Sequence, residues 1–335
     1  NTLSLIDRCV VYGNDDFTEV YYDGTEEEWN NIEIDTYGND LLLNATIHFK
    51  EKELNIEIFE ENGISYLYLG KYPQTVETDT NIISNLDNIT TTNSLGYIEY
   101  NGSEYKKVTA NPYSSNYKFI NGSWINLGNT YYFKVEPIKW RVLESNDGTY
   151  KLLSDIILDN THFYSTWSDR TINGKTIYPN NYEYSNIRAW LNGYDGTSYK
   201  VSDYTNKGFI DIVFTESEKA LINETLVDNS LASTGDSANS YVCNDTTDKI
   251  YLLSYNEATN TNYGFNSDES RKAIVSDYAR SKYCYMDSSF GYWWLRSPHY
   301  YDYYGARVVY NYGSFSGSID NFVYGVRAAL EITIE

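Results

Sequence analysis

Several short strand-like stretches, few helical ones and many turn-rich connections predict an α+β chain with short mixed or antiparallel strands and long loops. At roughly 150 residues per domain, 335 residues suffice for about two domains. Aromatic residues make up 17% of the chain, too much burial energy for a disordered polymer even at a formal charge of −22.

The first 50 residues have their own texture. Residues 9–12 and 19–22 look like strands, and Asp23-Gly24 is a turn. Thr25 followed by Glu28 is a capping box that should open a short helix burying Trp29. The last half of 41–49 alternates like a strand. A unit this short cannot bury both of its faces, so residues 1–50 are expected to be the atypical end cap of a stacked repeat array. The charged stretch 51–63 closes on the turn pair Asn62-Gly63 and is expected to be a linker.

Residues 64–335 form the second expected domain. Strands are predicted at 65–69, 131–135, 139–144, 150–154, 249–254, 292–296, 307–312 and 326–332. Helices are predicted at 184–191, where Ile187, Trp190 and Leu191 stand at i, i+3, i+4, and at 215–224, opened by a Thr215–Glu218 capping box. A third is predicted at 268–282, with Ala273, Val275, Tyr278 and Ala279 on one side. Residues 74–130, rich in Thr, Asn and Ser with turn pairs Asn101-Gly102 and Asn121-Gly122, read as a polar insertion holding a hairpin or two.

Composition excludes several functions. Forty-seven acidic residues face 25 basic ones, and the basic ones never cluster, which argues against a general nucleic-acid partner. No apolar run exceeds four residues, so no segment is expected to cross a bilayer. The chain opens at Asn1 with neither an initiator Met nor a basic-then-apolar leader, as a processed product or excised piece would. Cys9, Cys243 and Cys284 lack paired spacing and read as small buried hydrophobes; a Cys243–Cys284 disulfide would require export. His48, His162 and His299 have no metal-ligand spacing. No phosphate-cradling glycine loop and no Gly-x-Ser-x-Gly elbow occur, and Gly313 to Gly317 reads as a hairpin turn. No carboxylate pair is singled out for catalysis. An enzyme is therefore not expected, nor a cofactor; calcium is the natural metal for so much carboxylate oxygen, but no EF-hand-like loop is present.

The stretch 299–324 is the informative one. It lies between two framework stretches, Tyr292-Trp293-Trp294-Leu295-Arg296-Ser297-Pro298 and Gly325-Val326-Arg327, and seven of its 26 residues are tyrosine, with no lysine. Alternation sends Ala306, Val308 and Tyr310 to a face that suits a core, and Arg307, Val309 and Asn311 to the other. Four tyrosines within 300–304 follow no period and cannot all be buried with their hydroxyls satisfied. Tyrosine is also an ordinary strand former. In this setting, though, Tyr with Ser, Gly and Asn makes a paratope: rigid amphipathic contact area with adaptable hydrogen bonding.

Two resemblances extend these readings. The string 20–32, Val-Tyr-Tyr-Asp-Gly-Thr-Glu-Glu-Glu-Trp-Asn-Asn-Ile, and the later Leu43-Asn44-Ala45-Thr46-Ile47-His48-Phe49 resemble the closing segment of leucine-rich-repeat arrays on bacterial surface proteins. That implies a display protein whose other repeats lie upstream of Asn1. Over 64–335, the ordered motifs include Lys139-Trp140-Arg141-Val142-Leu143, Ile187-Arg188-Ala189-Trp190-Leu191-Asn192, Phe214-Thr215-Glu216-Ser217-Glu218, Trp293-Trp294-Leu295-Arg296-Ser297-Pro298 and Gly325-Val326-Arg327. They resemble a bacterial family of uncharacterised domains with a C-type-lectin-like fold of the formylglycine-generating-enzyme type. Many of its members resemble variable proteins of diversity-generating retroelements. Ala328 stands where the family usually has Pro and His299 where it usually has Gly, and 74–130 has no counterpart. The copper-binding cysteines of the enzymes do not carry over, so only the scaffold is implied.

The combined expectation is a cell-surface or secreted ligand-binding protein whose partner is a protein or glycan on a cell or phage surface. Its diversified binding surface would comprise Tyr300, Tyr301, Asp302, Tyr303, Tyr304, Arg307, Val309, Asn311, Ser316, Asp320, Asn321 and Phe322. Arg296 and Arg327 are expected to be structural. The alternatives are a carbohydrate-binding or carbohydrate-cleaving module and a structural surface domain.

Overall fold

The computed structural model describes residues 5–6, 18–22, 29–30, 32–49, 54–319 and 321–334. They fall into two compact units, Asn1–Asn55 and Ile56–Glu335. In the first, Leu5–Ile6 pairs in parallel with Glu33–Ile34, and Glu19–Tyr22 pairs in parallel with Thr46–Phe49. Residues Asp40–Asn44, expected to lead into the strand, are a short helix that buries Leu42. Trp29 meets the edge of Tyr22, ring centroids 5.2 Å apart. The strand expected at 9–12 and the Thr25–Glu28 capping box lie outside the described residues.

The second unit begins earlier than the predicted linker allows. Ile56 packs against the core, and Phe59–Glu61 pairs antiparallel with Ile64–Val76. Asn62 and Gly63 both take positive φ, 53° and 75°, the geometry of a tight hairpin turn whose twist suits its strands.

This unit is α+β, with two main sheets. In the larger, strands lie in the order Ile250–Tyr251, Ala329–Thr333, Thr149–Ser154, Thr130–Asn146, Ile64–Val76, Phe59–Glu61. Two predicted strands have merged into Thr130–Asn146, and Pro137 does not break it. The proline faces the bulged part of Ile64–Val76 on one edge. On the other it lies between two partners, Ser103–Thr109 and Thr149–Ser154, where the ladder is already interrupted. Trp140 is fully buried and donates Nε1–H to the Leu69 carbonyl at 2.8 Å. At the neighbouring bulge Gly70 has φ 66°, and a Cβ there would come within 2.6 Å of Val213, so helix Phe209–Val213 packs on a site only glycine can fill.

The insertion is more structured than predicted. Helix Thr80–Leu86, capped by Asp79, precedes the hairpin Ile98–Tyr100 and Ser103–Thr109, which turns at Asn101-Gly102 and adds to Thr130–Asn146. Leu86, Ile98, Tyr105 and Tyr132 close a small second core beneath it. Elsewhere the predicted 268–282 helix is two short ones, Asp268–Arg271 and Asp277–Arg280. The β-branched pair Ile274-Val275 leaves the helix to bridge Phe290 and Ile157, and Ser276 then caps the second turn. The predicted strand 307–312 is Gly305–Val309 instead.

The smaller sheet runs Asp159–His162, Val323–Val326, Trp293–Pro298, Gly305–Val309, Phe315–Ile319. The strand predicted at 326–332 is in fact Val323–Val326 in this sheet and Ala329–Thr333 in the larger one. The chain also crosses between sheets from Ser154 to Asp159, and the two crossings run together: Ser154 N–H donates to Ala328 O, and Leu158 N–H to Val326 O. Buried Arg327 donates Nε–H to Ser154 O at 3.0 Å and Nη2–H to Asp155 O at 3.2 Å, and its guanidinium lies 5.0 Å from the Trp293 ring. Arg296, equally buried, donates to Leu252 O and Asp228 O and pairs with Glu257.

Arg296→Ala and Arg327→Ala should each destabilise the unit by about 3 kcal/mol in urea denaturation, since each leaves several buried acceptors unpaired. Burial alone would raise the Glu257 carboxyl, but the Arg296 and Lys151 charges and the Ser254 N–H hold it below the usual carboxylate range. Its stabilisation is therefore complete above pH of about 4.5 and fades as pH falls through its lowered value. The stability gap between the native chain and Glu257→Gln should be widest at neutral pH and narrow in acid.

Candidate functional site

The smaller sheet carries the predicted surface on its last two strands. Antiparallel partners share a face, so the register Val308 with Ser316 and Ala306 with Ser318 puts these four on one side. Arg307 with Gly317 and Val309 with Phe315 fall on the other. Apart from half-buried Arg307, the residues of the Gly305–Val309 strand are buried. Val308 and Val309 are each 0% exposed. Val309 is therefore a core residue beside Trp293, which corrects its assignment to the binding surface. Tyr310, expected on the core face, is half-buried and turns its ring to a hollow described below. Gly313 sits in the hairpin turn as predicted.

The 300–304 tyrosines are not buried together. Tyr301 is 70% exposed and Tyr303 41%, whereas Tyr300, Asp302 and Tyr304 are half-buried. Asn180 holds this loop, donating its backbone N–H to Tyr303 O and its amide to Asp302 O at 2.9 Å. Gly317 lies under the His299 ring, and a Cβ on it would come within 2.3 Å of that ring. Burial and then the Arg307 charge push the His299 pKa down, so this imidazole is neutral at pH 7. The Arg307 guanidinium rests 4.4 Å from the Tyr255 ring and 5.8 Å from Tyr300. Its Nε is buried without a hydrogen-bond partner. Asn311 and Ser316 are half-buried, and Asp320 lies outside the described residues.

Asn321 and Phe322 belong to a hollow of about 660 Å³ that the sequence did not reveal. Its walls are Tyr113, Tyr283, Tyr285, Tyr292, Tyr310 and Tyr324, with His162, Ser318 and Val323 completing the lining. The rings form a continuous strip: Tyr113 lies 5.1 Å from Tyr283 and 4.9 Å from Tyr285, Tyr285 4.5 Å from Tyr292, and Tyr292 4.4 Å from Tyr310. Buried Trp294 supports it from below, 5.1 Å from Tyr324. Burial and the neighbouring Tyr285 and Tyr310 phenols raise the Tyr292 pKa, so this phenol stays uncharged at physiological pH. Ser318 and Phe322 also border a smaller recess lined by Asp302 and Tyr304, which makes the hollow and the 300–304 loop one surface.

The wall residues come from three distant segments. Tyr113 arrives because the insertion pairs Asn111 N–H with Ser281 O at 2.7 Å, and Tyr117 hydrogen bonds to the Met286 backbone. The local signal available in the sequence was the alternation Tyr283, Cys284, Tyr285, whose middle residue is buried.

Cys243 and Cys284 are free thiols and not a disulfide. Burial pushes both pKa values up, that of Cys243 to about 11, so neither is a ready nucleophile. Among the described residues no group of three or more His, Cys, Asp or Glu side chains is placed to hold a metal ion. No described helix is long and apolar enough to cross a membrane.

The profile of a protein family described as a domain of unknown function (DUF6273) matches residues 147–334, more than half of the chain. No curated protein and no solved structure matches.

The surface thus divides into replaceable and fixed positions. Val309→Asn should cost about 3 kcal/mol or more, since it buries an unpaired amide beside Trp293. Tyr301→Asn should stay within about 0.5 kcal/mol of the native chain. Urea denaturation of the two variants checks both values.

Proposed function

The chain belongs to the DUF6273 family, and we propose that it is a ligand-binding display protein, on a cell surface or secreted, that binds a macromolecular partner through its C-terminal surface and catalyses nothing. The observation that carries this reading is the strip of neighbouring tyrosine rings around the hollow, continuous with exposed Tyr301 and Tyr303. A protein stabilises itself by burying such rings; keeping them at the surface is a contact device.

Further parts of the reading rest on the resemblances. The larger unit would be a C-type-lectin-like scaffold, supported by two sheets joined through paired crossings and by a hairpin surface at the edge of the smaller sheet beside Trp293–Pro298. The first unit would close a leucine-rich-repeat array, supported by its two parallel strand pairs. A retroelement would diversify Tyr300 to Tyr304, Arg307, Asn311, Ser316, Asp320, Asn321 and Phe322, with Val309 excluded by its burial.

Two measurements test this. Sequencing the segment encoding 299–324 in clonal relatives should find replacements at the exposed positions while 293–298 and 325–327 stay fixed. An identical segment in relatives that differ elsewhere overturns the diversified surface. In flow cytometry of host and bacterial cells, the double variant Tyr301→Ala, Tyr303→Ala should bind at least tenfold more weakly than the native chain, with an unchanged melting temperature. Equal binding by both sinks the proposal.

A further inference from the structure

We propose that the tyrosine-walled hollow is a subsite for a neutral saccharide; the inference rests on the ligand-binding reading above and names the chemistry of what is bound. The hollow, about 660 Å³, lies within the range of pockets that enclose small ligands. No charged side chain among the described residues lines it. A ligand carboxylate, sulfate or ammonium would therefore lose its water without gaining a counter-charge. Arg307, the cation of the adjacent Gly305–Val309 strand, is not part of the lining.

The walls ask for hydroxyl groups. Asn321 Oδ1 is buried without a hydrogen-bond partner, an acceptor waiting for a donor. His162 Nδ1 bonds the Asn321 backbone carbonyl, so in the neutral ring Nδ1 carries the proton and Nε2 is a second acceptor. Among the described residues, the hydroxyls of Tyr113, Tyr283 and Tyr310 make no hydrogen bond, and each phenol can donate and accept. Between these groups lie flat aromatic faces. A pyranose ring matches both features, with C–H faces for the rings and hydroxyls around its edge. A quaternary ammonium ion would also suit aromatic walls, but it has no proton to give Asn321 Oδ1.

Tyr283 points the same way. Its backbone is in the left-handed region at φ 66°, unusual for a bulky residue, and its side chain is 46% exposed. The core does not require this ring. The strained conformation sets it against Tyr113 as the outer wall, and strain of this kind collects at binding sites.

The test is titration calorimetry on the full chain with maltotriose, cellotriose, chitotriose and mannotriose, and with sialyllactose and choline as charged probes. At least one neutral trisaccharide should bind, and sialyllactose and choline at least tenfold more weakly. Tyr283→Gly should weaken the neutral sugar at least tenfold while the melting temperature is unchanged or higher, because glycine relieves the positive φ. Asn321→Leu should weaken it as much, and Tyr68→Ala, an exposed tyrosine of the larger sheet, should leave it unchanged. Failure of every neutral sugar, preference for a charged probe, or full affinity in Tyr283→Gly and Asn321→Leu overturns the inference. If cells are still bound through Tyr301 and Tyr303 when the sugars fail, only this inference falls; if both fail, the ligand-binding reading falls with it.

Discussion

The larger unit depends on one buried guanidinium. Its two sheets share no face-wide ladder; they are joined where the chain passes from one to the other at 154–159 and again at 326–329, and Arg327 lies at that double crossing. A planar fork of donors can satisfy carbonyls on a segment far away in sequence while its flat face covers Trp293. An apolar residue of similar size would fill the space but leave Ser154 O and Asp155 O without these donors. Arg296 repeats the device one strand away, tying Trp293–Pro298 to Leu252 O and Asp228 O. The last strand of the larger sheet and the central strands of the smaller one are thereby fixed relative to each other, and the hairpin that carries the candidate surface is built on that frame.

Legibility in the sequence followed the range of the determining interaction. The Thr215–Glu218 capping box formed as read, with Glu218 N–H donating to Thr215 Oγ1 and Thr215 N–H to Glu218 Oε2, because both partners lie within one turn. The Asn62-Gly63 and Asn101-Gly102 turns were legible for the same reason. Helix Thr80–Leu86 was missed although Asp79 caps it, since its apolar side is short and packs on a core built by Tyr105 and Tyr132 from other strands. Alternation failed at Val309, which is buried although it shares its side of the strand with half-buried Arg307, so that side is not a uniform solvent face for the pattern to report. The hollow was illegible because Tyr113 and Tyr283 meet only through a pairing of segments some 170 residues apart.

Tyrosine therefore plays two roles that composition alone merges. Tyr72, Tyr182 and Tyr251 are core residues, and burial drives their phenol pKa values far up, keeping them neutral. Tyr72 and Tyr251 also give their hydroxyls to Asp159 and Glu331. Around the hollow the rings pack on one another, and the hydroxyls of Tyr113, Tyr283 and Tyr310 have no partner among the described residues, whereas Tyr324 accepts from Ser318 Oγ at 3.0 Å. What separates the two populations is depth of burial, a property of tertiary placement; the hydroxyl of fully buried Tyr182 has no hydrogen-bond partner among the described residues.

The net charge of −22 gives this division a physical reason. A surface spread with carboxylates repels most biological polyanions, and any contact built on salt bridges would be weakened by the surrounding negative field and by salt. A contact made of phenols avoids both effects: the rings supply area and stacking, the hydroxyls supply direction, and neither changes charge near neutral pH. The acidic exterior opposes the approach of a second copy of the chain, since like charges repel. On the proposed reading, charge and tyrosine are two halves of one arrangement, the first opposing contact between identical surfaces and the second suited to a dissimilar, neutral partner.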